Sequence, residues 1–430
     1  MKIAVVTLGS AGDLHPFLAI GRELKQRGHD VYVLSQEPYE AEVLAEGLKF
    51  ISVVSAKFHS RTMNHPQLWH PLHGFGVLWR HLAVPAIQPT CDALGALGAM
   101  NGERLVVLAS PLAVGARFAK DRWPNSLRLI SGYTAPMALR CDSDPMFLGS
   151  WRVPAWWPQG RLRRVLWSLL DRWKLEPLSG PALLHWQRAW GTPAIRGSVF
   201  GEWVHSPDGG LALYPSWFAP VPEQWRRRGV VTAGFPMYRG SRQFHIQTEL
   251  KQFLLAKGCV AVIYPGSASI HSEDLIRLGI EACRRAGLAF VVVARELSDT
   301  LRAEIAIRGD GEHVAWTSFA SLLMHARVLI HHGGIGTCAQ AIAAGSPQLI
   351  LASAYDQFEN GARIQELGVG KYWNLKTATV SKLQRALASQ ALLTMRQACP
   401  RNSELVQDTG AAVKTACDLL SQTSEINAQV

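Results

Sequence analysis

The chain opens on MKIAVVTL, an apolar run broken only by Lys2 and Thr7, as expected of a strand buried on both faces. GSAGDLHP follows, from Gly9 to Pro16, a glycine-bearing loop that ends in a proline. In the next stretch, PFLAIGRELKQRG, Phe17, Ile20 and Leu24 share one helical face, Gly28 ends the pattern, and Pro16 takes the position where helices accept proline. HDVYVLS then predicts a second strand, EPYEAEVLAEG a helix and LKFISVV a third strand. Strand and helix alternating this closely predict parallel βαβ units with helices on both faces of a sheet.

Between Trp151 and Trp190 the alternation fades, and seven of the fifteen tryptophans crowd together with arginines, as in WRVPAWWPQGRLRRVLWSLLDRWKL. Helical spacing aligns Leu162, Val165, Leu166, Leu169 and Trp173 beside Arg161, Arg163 and Arg164. Two readings of this stripe stand: an amphipathic helix packed on its own domain, or an apolar, basic surface for a lipid acceptor or a membrane face. VVTAGFPMYRGSRQFH has the composition of a linker, after which the alternation restarts: CVAVIYPGSAS, LAFVVVA, VLIHHGGIGT and PQLILAS as strands, with SEDLIRLGIEACRRAG, CAQAIAAG and DQFENGARIQELG as helices. The plan occurs twice. The expected architecture is α/β, two Rossmann-like doubly wound parallel-sheet domains facing across a cleft, with ligands at the carboxyl ends of the strands. The expected boundaries are 1–235 for the first domain, 236–258 for the linker region and 259–430 for the second, with the last helix packing back on the first domain.

A length of 430 residues fits two cores better than one. The formal charge of +11 favours anionic company, but the basic residues are scattered and no nucleic-acid motif accompanies them, so no nucleic-acid partner is expected. Seven cysteines without a CxxC pair suit reduced thiols. The first residues lack the zones of a signal peptide, and no apolar run approaches the roughly 20 residues that span a bilayer. The expected location is cytoplasmic, with peripheral contact at the inner membrane left open.

The most specific chemistry lies in LIHHGGIGT. A strand delivers His331 and His332, Gly333, Gly334 and Gly336 bring backbone amides close to a ligand, and Thr337 is expected to begin a helix, a combination suited to phosphate. His331 is expected to be structural and His332 to face the ligand. Adjacent strand residues point to opposite faces, so the pair is not expected to hold a metal. Neither GSAGD nor GGIGT completes a dinucleotide fingerprint.

The glycine loop with an early acid, HHGGIGT, GSP after the helix, and YDQFENG together resemble the GT-B-fold glycosyltransferases that use nucleotide sugars. SRTMNHPQLWHPLHGFGVLW, EWVHSPDGGLALYPSWFAP and GFPMYRGS are most similar to the rhamnosyltransferases of rhamnolipid synthesis. The resemblance implies that His332 and the amides of Gly334, Gly336 and Thr337 hold the donor diphosphate, and that Asp356 and Gln357 bind the sugar hydroxyls. It also implies that Trp316 covers the base and that Ser267 approaches the phosphates. Plainer roles stand beside these: Asp356 and Ser267 as helix caps, and Trp316 as core. Gln340 stands where many users of uridine sugars carry glutamate for the ribose, which leaves UDP-glucose and dTDP-rhamnose both open.

Inverting transfer needs a general base for the acceptor hydroxyl. Asp13, after Gly12 at the end of the first strand, matches the family's catalytic position; His15 is the competing base, and capping of the first helix is the alternative role for Asp13. The implied function is an inverting, metal-independent transfer of rhamnose or glucose to a hydroxyacyl lipid, giving a glycolipid biosurfactant. No separate cofactor is implied, the nucleotide diphosphate sugar being a co-substrate. The alternatives are a sterol or polyketide acceptor, a nucleotide-sugar 2-epimerase and a non-catalytic lipid-binding subunit.

Overall fold

A computed structural model describes residues 1–141, 146–154, 157, 160–238, 240, 246–266, 273–388, 390–404 and 409–422. Strands β1 (Lys2–Val6), β2 (Asp30–Gln36), β3 (Lys49–Val54), β4 (Leu105–Ala109) and β5 (Leu127–Tyr133) build the first sheet. A short antiparallel hairpin of β6 (Phe147–Leu148) and β7 (Trp151–Arg152) interrupts it before β8 (Gly210–Ala212) and β9 (Val230–Thr232) complete it. Its spatial order is β3-β2-β1-β4-β5-β8-β9, with every pairing parallel. The second sheet has β10 (Val260–Tyr264), β11 (Phe290–Val293), β12 (Gly311–Val314), β13 (Ala326–His331), β14 (Gln348–Ala352) and β15 (Gly370–Asn374) in the order β12-β11-β10-β13-β14-β15, again all parallel. In both sheets the first strand in sequence sits inside, and the order reverses beside it, which opens a crevice at its carboxyl end. Ile3, Ala4, Val5 and Val6 are wholly buried, as are Val260 to Ile263, so the apolar runs read as two-faced strands are that.

The first helix departs from expectation. It spans Ala11–Gln26, so most of the predicted loop is its first turn and Pro16 lies inside it. The local reason is a cap: Ser10 is extended, and its backbone N–H donates to the carboxylate of Asp13 at 2.8 Å. The cap starts the helix five residues before the proline, whose missing N–H removes one intrahelical bond. A second departure of the same kind is the helix Ile335–Ala343, which begins two residues before Thr337. The linker region holds a third, the helix Thr248–Lys257, whose Leu250 and Leu254 pack with Val260, Val262 and Leu329 of the second sheet. The last described helix, Thr409–Ser421, returns to the first domain: Ala416, Cys417 and Leu420 join the core of Ile20 and Leu24, and Asp418 pairs with Arg27 at 2.5 Å.

Within the Trp-rich segment the two helices differ: Glu176–Trp190 packs Leu183, Trp186 and Trp190 on the first domain, whereas Arg161–Leu170 keeps Leu166 half-buried and turns the rest of its apolar stripe outward. Along the helix Arg161–Leu170, Arg163 is buried whereas Leu162, Val165 and Leu169 are 39%, 50% and 47% exposed, with Trp173 just beyond at 76%. A polar network holds the inner side. Arg140 grips Asp171 through two bonds of 2.7 and 2.6 Å, Ser198 donates to the same carboxylate, and the Arg140 guanidinium stacks over Trp167. With inward anchoring left to ions, the apolar stripe faces out. Among the described residues, no helix is long and apolar enough to cross a membrane.

Candidate active site

The carboxyl ends of β1 and β14 bring two carboxylates to the same cleft. Asp13 stands on the first turn after β1, its Oδ2 accepting from the Ser10 backbone N–H and from Ser10 Oγ at 3.0 Å. The turn before it is fixed by three donors, Ser35 Oγ to the Thr7 carbonyl and Gln36 Nε2 and Tyr39 Oη to the Gly9 carbonyl. Gly9 has φ +138°, and a Cβ there would lie 2.3 Å from Asp13 Oδ2, so no other residue fits against the carboxylate. Burial pushes the Asp13 carboxyl above its ordinary range, and the two Ser10 bonds work against the shift. Gly12 is exposed on the same turn.

His15 is drawn elsewhere. Its Nε2 meets Glu42 Oε1 at 2.9 Å, and its ring lies 4.9 Å from that of Tyr238. It lies two positions along the helix from Asp13, which turns it toward a different set of partners.

Asp356 begins the helix Gln357–Glu366 after β14, so the capping position foreseen for it is real, but its carboxylate is spent on Asn360, whose Nδ2 donates to Oδ2 at 2.7 Å and also to the Gly333 carbonyl at 3.0 Å. One asparagine thus ties the Asp356 carboxylate to the glycine turn after β13. Burial raises the Asp356 carboxyl to about 6, and the negative charge of Asp13 adds to the rise. Gln357 is buried, and its Oε1 accepts from the backbone N–H groups of Ser353 and Ala354 at 2.8 and 3.2 Å. Only its amide nitrogen remains for a ligand.

A folded-state pKa raised this far means that the ligand-free fold favours protonated Asp356. The associated stability is fully present below the unfolded value near 4 and is lost as pH rises through about 6. Asp356→Asn keeps the acceptor for Asn360 and removes the charge. It is expected to resist urea unfolding better than the parent at pH 8, by about 1–2 kcal/mol, and no better near pH 4. Equal gains at both pH values would place the effect elsewhere.

The histidine pair divides its labour. His331 is fully buried; its Nδ1 accepts from the Gly333 N–H at 3.2 Å and its Nε2 meets Gln348 Oε1 at 3.0 Å, so its bonds serve the β13 turn. His332 lies between two glycine loops: a Cβ on Gly266, after β10, would come 2.7 Å from its Cε1, and one on Gly334 would come 2.6 Å from its Nε2. Burial pushes its pKa down to about 4, so in the ligand-free protein this ring is neutral at pH 7. Gly333 takes φ +94° with Ile350 and Gln357 packed where a side chain would go, while Gly336 is exposed with open space around its Cα. Gly334 caps the helix, Thr337 is buried in its first turn, and Gln340 is half-buried a turn later.

Trp316 is 49% exposed, which excludes the core role, and the Arg295 guanidinium lies over its ring at 5.1 Å. Ser267 lies outside the described residues. Sequence reasoning missed Asn360, Arg295 and Tyr355. YDQFENG held Asn360 in view, one helical turn from Asp356, where an i, i+4 pair meets.

Comparison with known proteins follows the same division. Residues 3–116 match the glycosyltransferase family 28 N-terminal domain, and residues 289–422 match the erythromycin biosynthesis protein CIII-like C-terminal domain. The chain is 25% identical to O-mycaminosyltylonolide 6-deoxyallosyltransferase of Streptomyces fradiae over 99% of its length and 98% of that protein. It is 26% identical to vancomycin aglycone glucosyltransferase of Amycolatopsis orientalis, covering 96% of each. The solved glycotransferase of kitacinnamycin superposes with a TM-score of 0.73 at 21% identity, over 97% of this chain and 98% of that one. Both relatives are named for transfer to other natural products, not for the rhamnolipid synthesis that SRTMNHPQLWHPLHGFGVLW and its companion motifs resemble.

Proposed function

We propose that this chain, a glycosyltransferase built on the GT-B fold, moves a hexose with inversion and without a metal from a nucleotide diphosphate sugar to the hydroxyl of a hydroxyacyl lipid. The observation that carries the reading is that Asp13 and Asp356 each stand at the carboxyl end of a strand, within range of each other's charge, with Asp356 tied by Asn360 to the HHGG turn. Asp13 takes the acceptor proton as the hydroxyl attacks the anomeric carbon, and the diphosphate leaves toward His332 and the amides of Gly334, Gly336 and Thr337. Asp356 and the Gln357 amide orient the sugar, Trp316 stacks on the base, Ser267 nears the phosphates, and Gln340 reaches for the ribose. The pairing of His15 with Glu42 favours Asp13 as the base.

The outward stripe of Leu162, Val165, Leu169 and Trp173 supports a lipid acceptor, and exposed Arg164, Arg172 and Lys174 beside it suit a carboxylate or the acidic inner-membrane surface where such acceptors dissolve. The relatives' names favour a second reading, another hydrophobic natural product such as a polyketide or sterol. A matrix of UDP-glucose and dTDP-rhamnose against 3-(3-hydroxyalkanoyloxy)alkanoates, macrolide aglycones and sterols, read by mass spectrometry, separates the two. Nucleotide diphosphate released only with acceptor present excludes an epimerase and a silent subunit.

If the stripe receives the acyl chain, the double substitution Val165→Ser and Leu169→Ser removes about 2 kcal/mol of apolar contact. The KM for the hydroxyacyl acceptor is expected to rise about tenfold or more, with nucleotide diphosphate affinity unchanged. An unaltered acceptor KM would move the acyl chain to another surface.

A further inference from the structure

Tyr355 is the one residue other than glycine with a positive φ among those described, at +55°. A side-chain-bearing residue held in the left-handed region is retained only where its surroundings demand it. The demand here comes from the opposite domain. Tyr355 Oη donates to the Leu68 carbonyl at 2.5 Å, and its ring meets Trp69 edge-on with centroids 5.6 Å apart. Leu68 and Trp69 belong to the segment joining the helices Ala56–Met63 and Gly74–Leu78 on the acceptor side. Gly74 completes the socket, since a Cβ on it would lie 2.7 Å from Tyr355 Oη and 2.1 Å from the Leu68 carbonyl oxygen.

The tyrosine is also the residue immediately before Asp356. Behind it the turn is closed by the Gln357 side chain, so the backbone cannot relax without disturbing both sugar-side residues. Burial, joined by the charge of Asp13, pushes the Tyr355 hydroxyl above its ordinary range, so it stays a protonated donor to the Leu68 carbonyl. Trp69 and Ser353, which flank this contact, also line an open crevice of about 680 Å³ with Pro66, His70 and Lys376.

We propose that Tyr355 is a cross-domain latch: its hydroxyl on the Leu68 carbonyl fixes the Asp356–Gln357 turn against the acceptor-side domain and keeps crevice water from the anomeric carbon. It is a positioning residue, acting through Asp356 and Gln357, and its effect on chemistry rests on the glycosyl-transfer reading. Loss of the hydroxyl leaves ring and backbone in place but frees the segment; an alanine at 74 breaks the contact from the other side by displacing the Leu68 carbonyl.

Two variants, Tyr355→Phe and Gly74→Ala, test it in two ways. Hydrogen exchange of the ligand-free full-length chain reads the contact itself. Amides of residues 64–78 are expected to exchange about tenfold faster in either variant, the equivalent of one lost hydrogen bond. With UDP-glucose and dTDP-rhamnose as donors and a 3-(3-hydroxyalkanoyloxy)alkanoate as acceptor, the ratio of donor hydrolysis to sugar transfer is expected to rise about tenfold, while affinity for the nucleotide diphosphate stays as in the parent. A general loss of fold would lower hydrolysis and transfer together and leave their ratio alone. Unchanged exchange in both variants overturns the latch, and faster exchange with an unchanged ratio overturns its role in excluding water. If the parent turns over neither donor, the transfer reading fails while the exchange result still decides the contact.

Discussion

Asp13→Asn is expected to lower kcat by about 10²–10⁴-fold while nucleotide diphosphate binding stays close to that of the parent. The substitution is clean for a structural reason. Asp13 holds the start of the first helix through the Ser10 N–H, and the amide oxygen of asparagine can accept that bond in the same place. Capping and catalysis are thereby separable: a residue that only caps would leave turnover nearly intact. The pH profile adds a second, independent sign. Burial raises the Asp13 carboxyl and the base must be ionised to accept a proton, so the parent should lose activity as pH falls, from a point above the ordinary carboxylate range. The residual activity of Asp13→Asn should lack that acid limb. A loss below about tenfold, together with abolished transfer in His15→Ala, would give the role to His15 and would require the Glu42 pair to open.

What the sequence disclosed and what it hid follow from the range of the forces involved. The two sheets were legible because strands buried on both faces must be apolar throughout, and MKIAVV, VAVI and LILA leave little else to choose. The HHGG turn was legible because glycine, histidine and a helix start are local in sequence. The start of the first helix is hidden for a local reason too: Pro16 is the plainer start signal, whereas the cap of Ser10 by Asp13 begins the helix at Ala11, five residues earlier. The Trp-rich helix was ambiguous because its burial depends on Arg140, Asp171 and Ser198, residues up to 58 positions apart that form one network only when folded. The charge of His332 and the reach of Tyr355 depend on the opposing loops of Gly266 and Leu68, and no periodicity in the chain encodes those distances.

The neutral state of His332 shapes the last expectation. An imidazole with a pKa near 4 offers the diphosphate one N–H, not a full positive charge, unless the bound anion itself draws a proton onto the ring. A hydrogen bond to a charged group is worth roughly 1.5–3 kcal/mol, so His332→Ala is expected to weaken binding of the nucleotide diphosphate about 10- to 100-fold in calorimetry. Binding should not vanish, because the amides after β13 and the helix N-terminus at Gly334 remain to meet the phosphates. The ring also fills the space between Gly266 and Gly334, and its removal lets those two loops approach or admits water between them. His332→Asn returns a donor without the ring and should recover part of the affinity if the lost hydrogen bond, and not the lost volume, is the cause. Running the titrations in buffers of different ionisation enthalpy then measures proton uptake, with a net uptake in the parent that both variants lack if the anion charges the imidazole. Equal nucleotide affinity in the parent and His332→Ala would remove His332 from the donor site altogether.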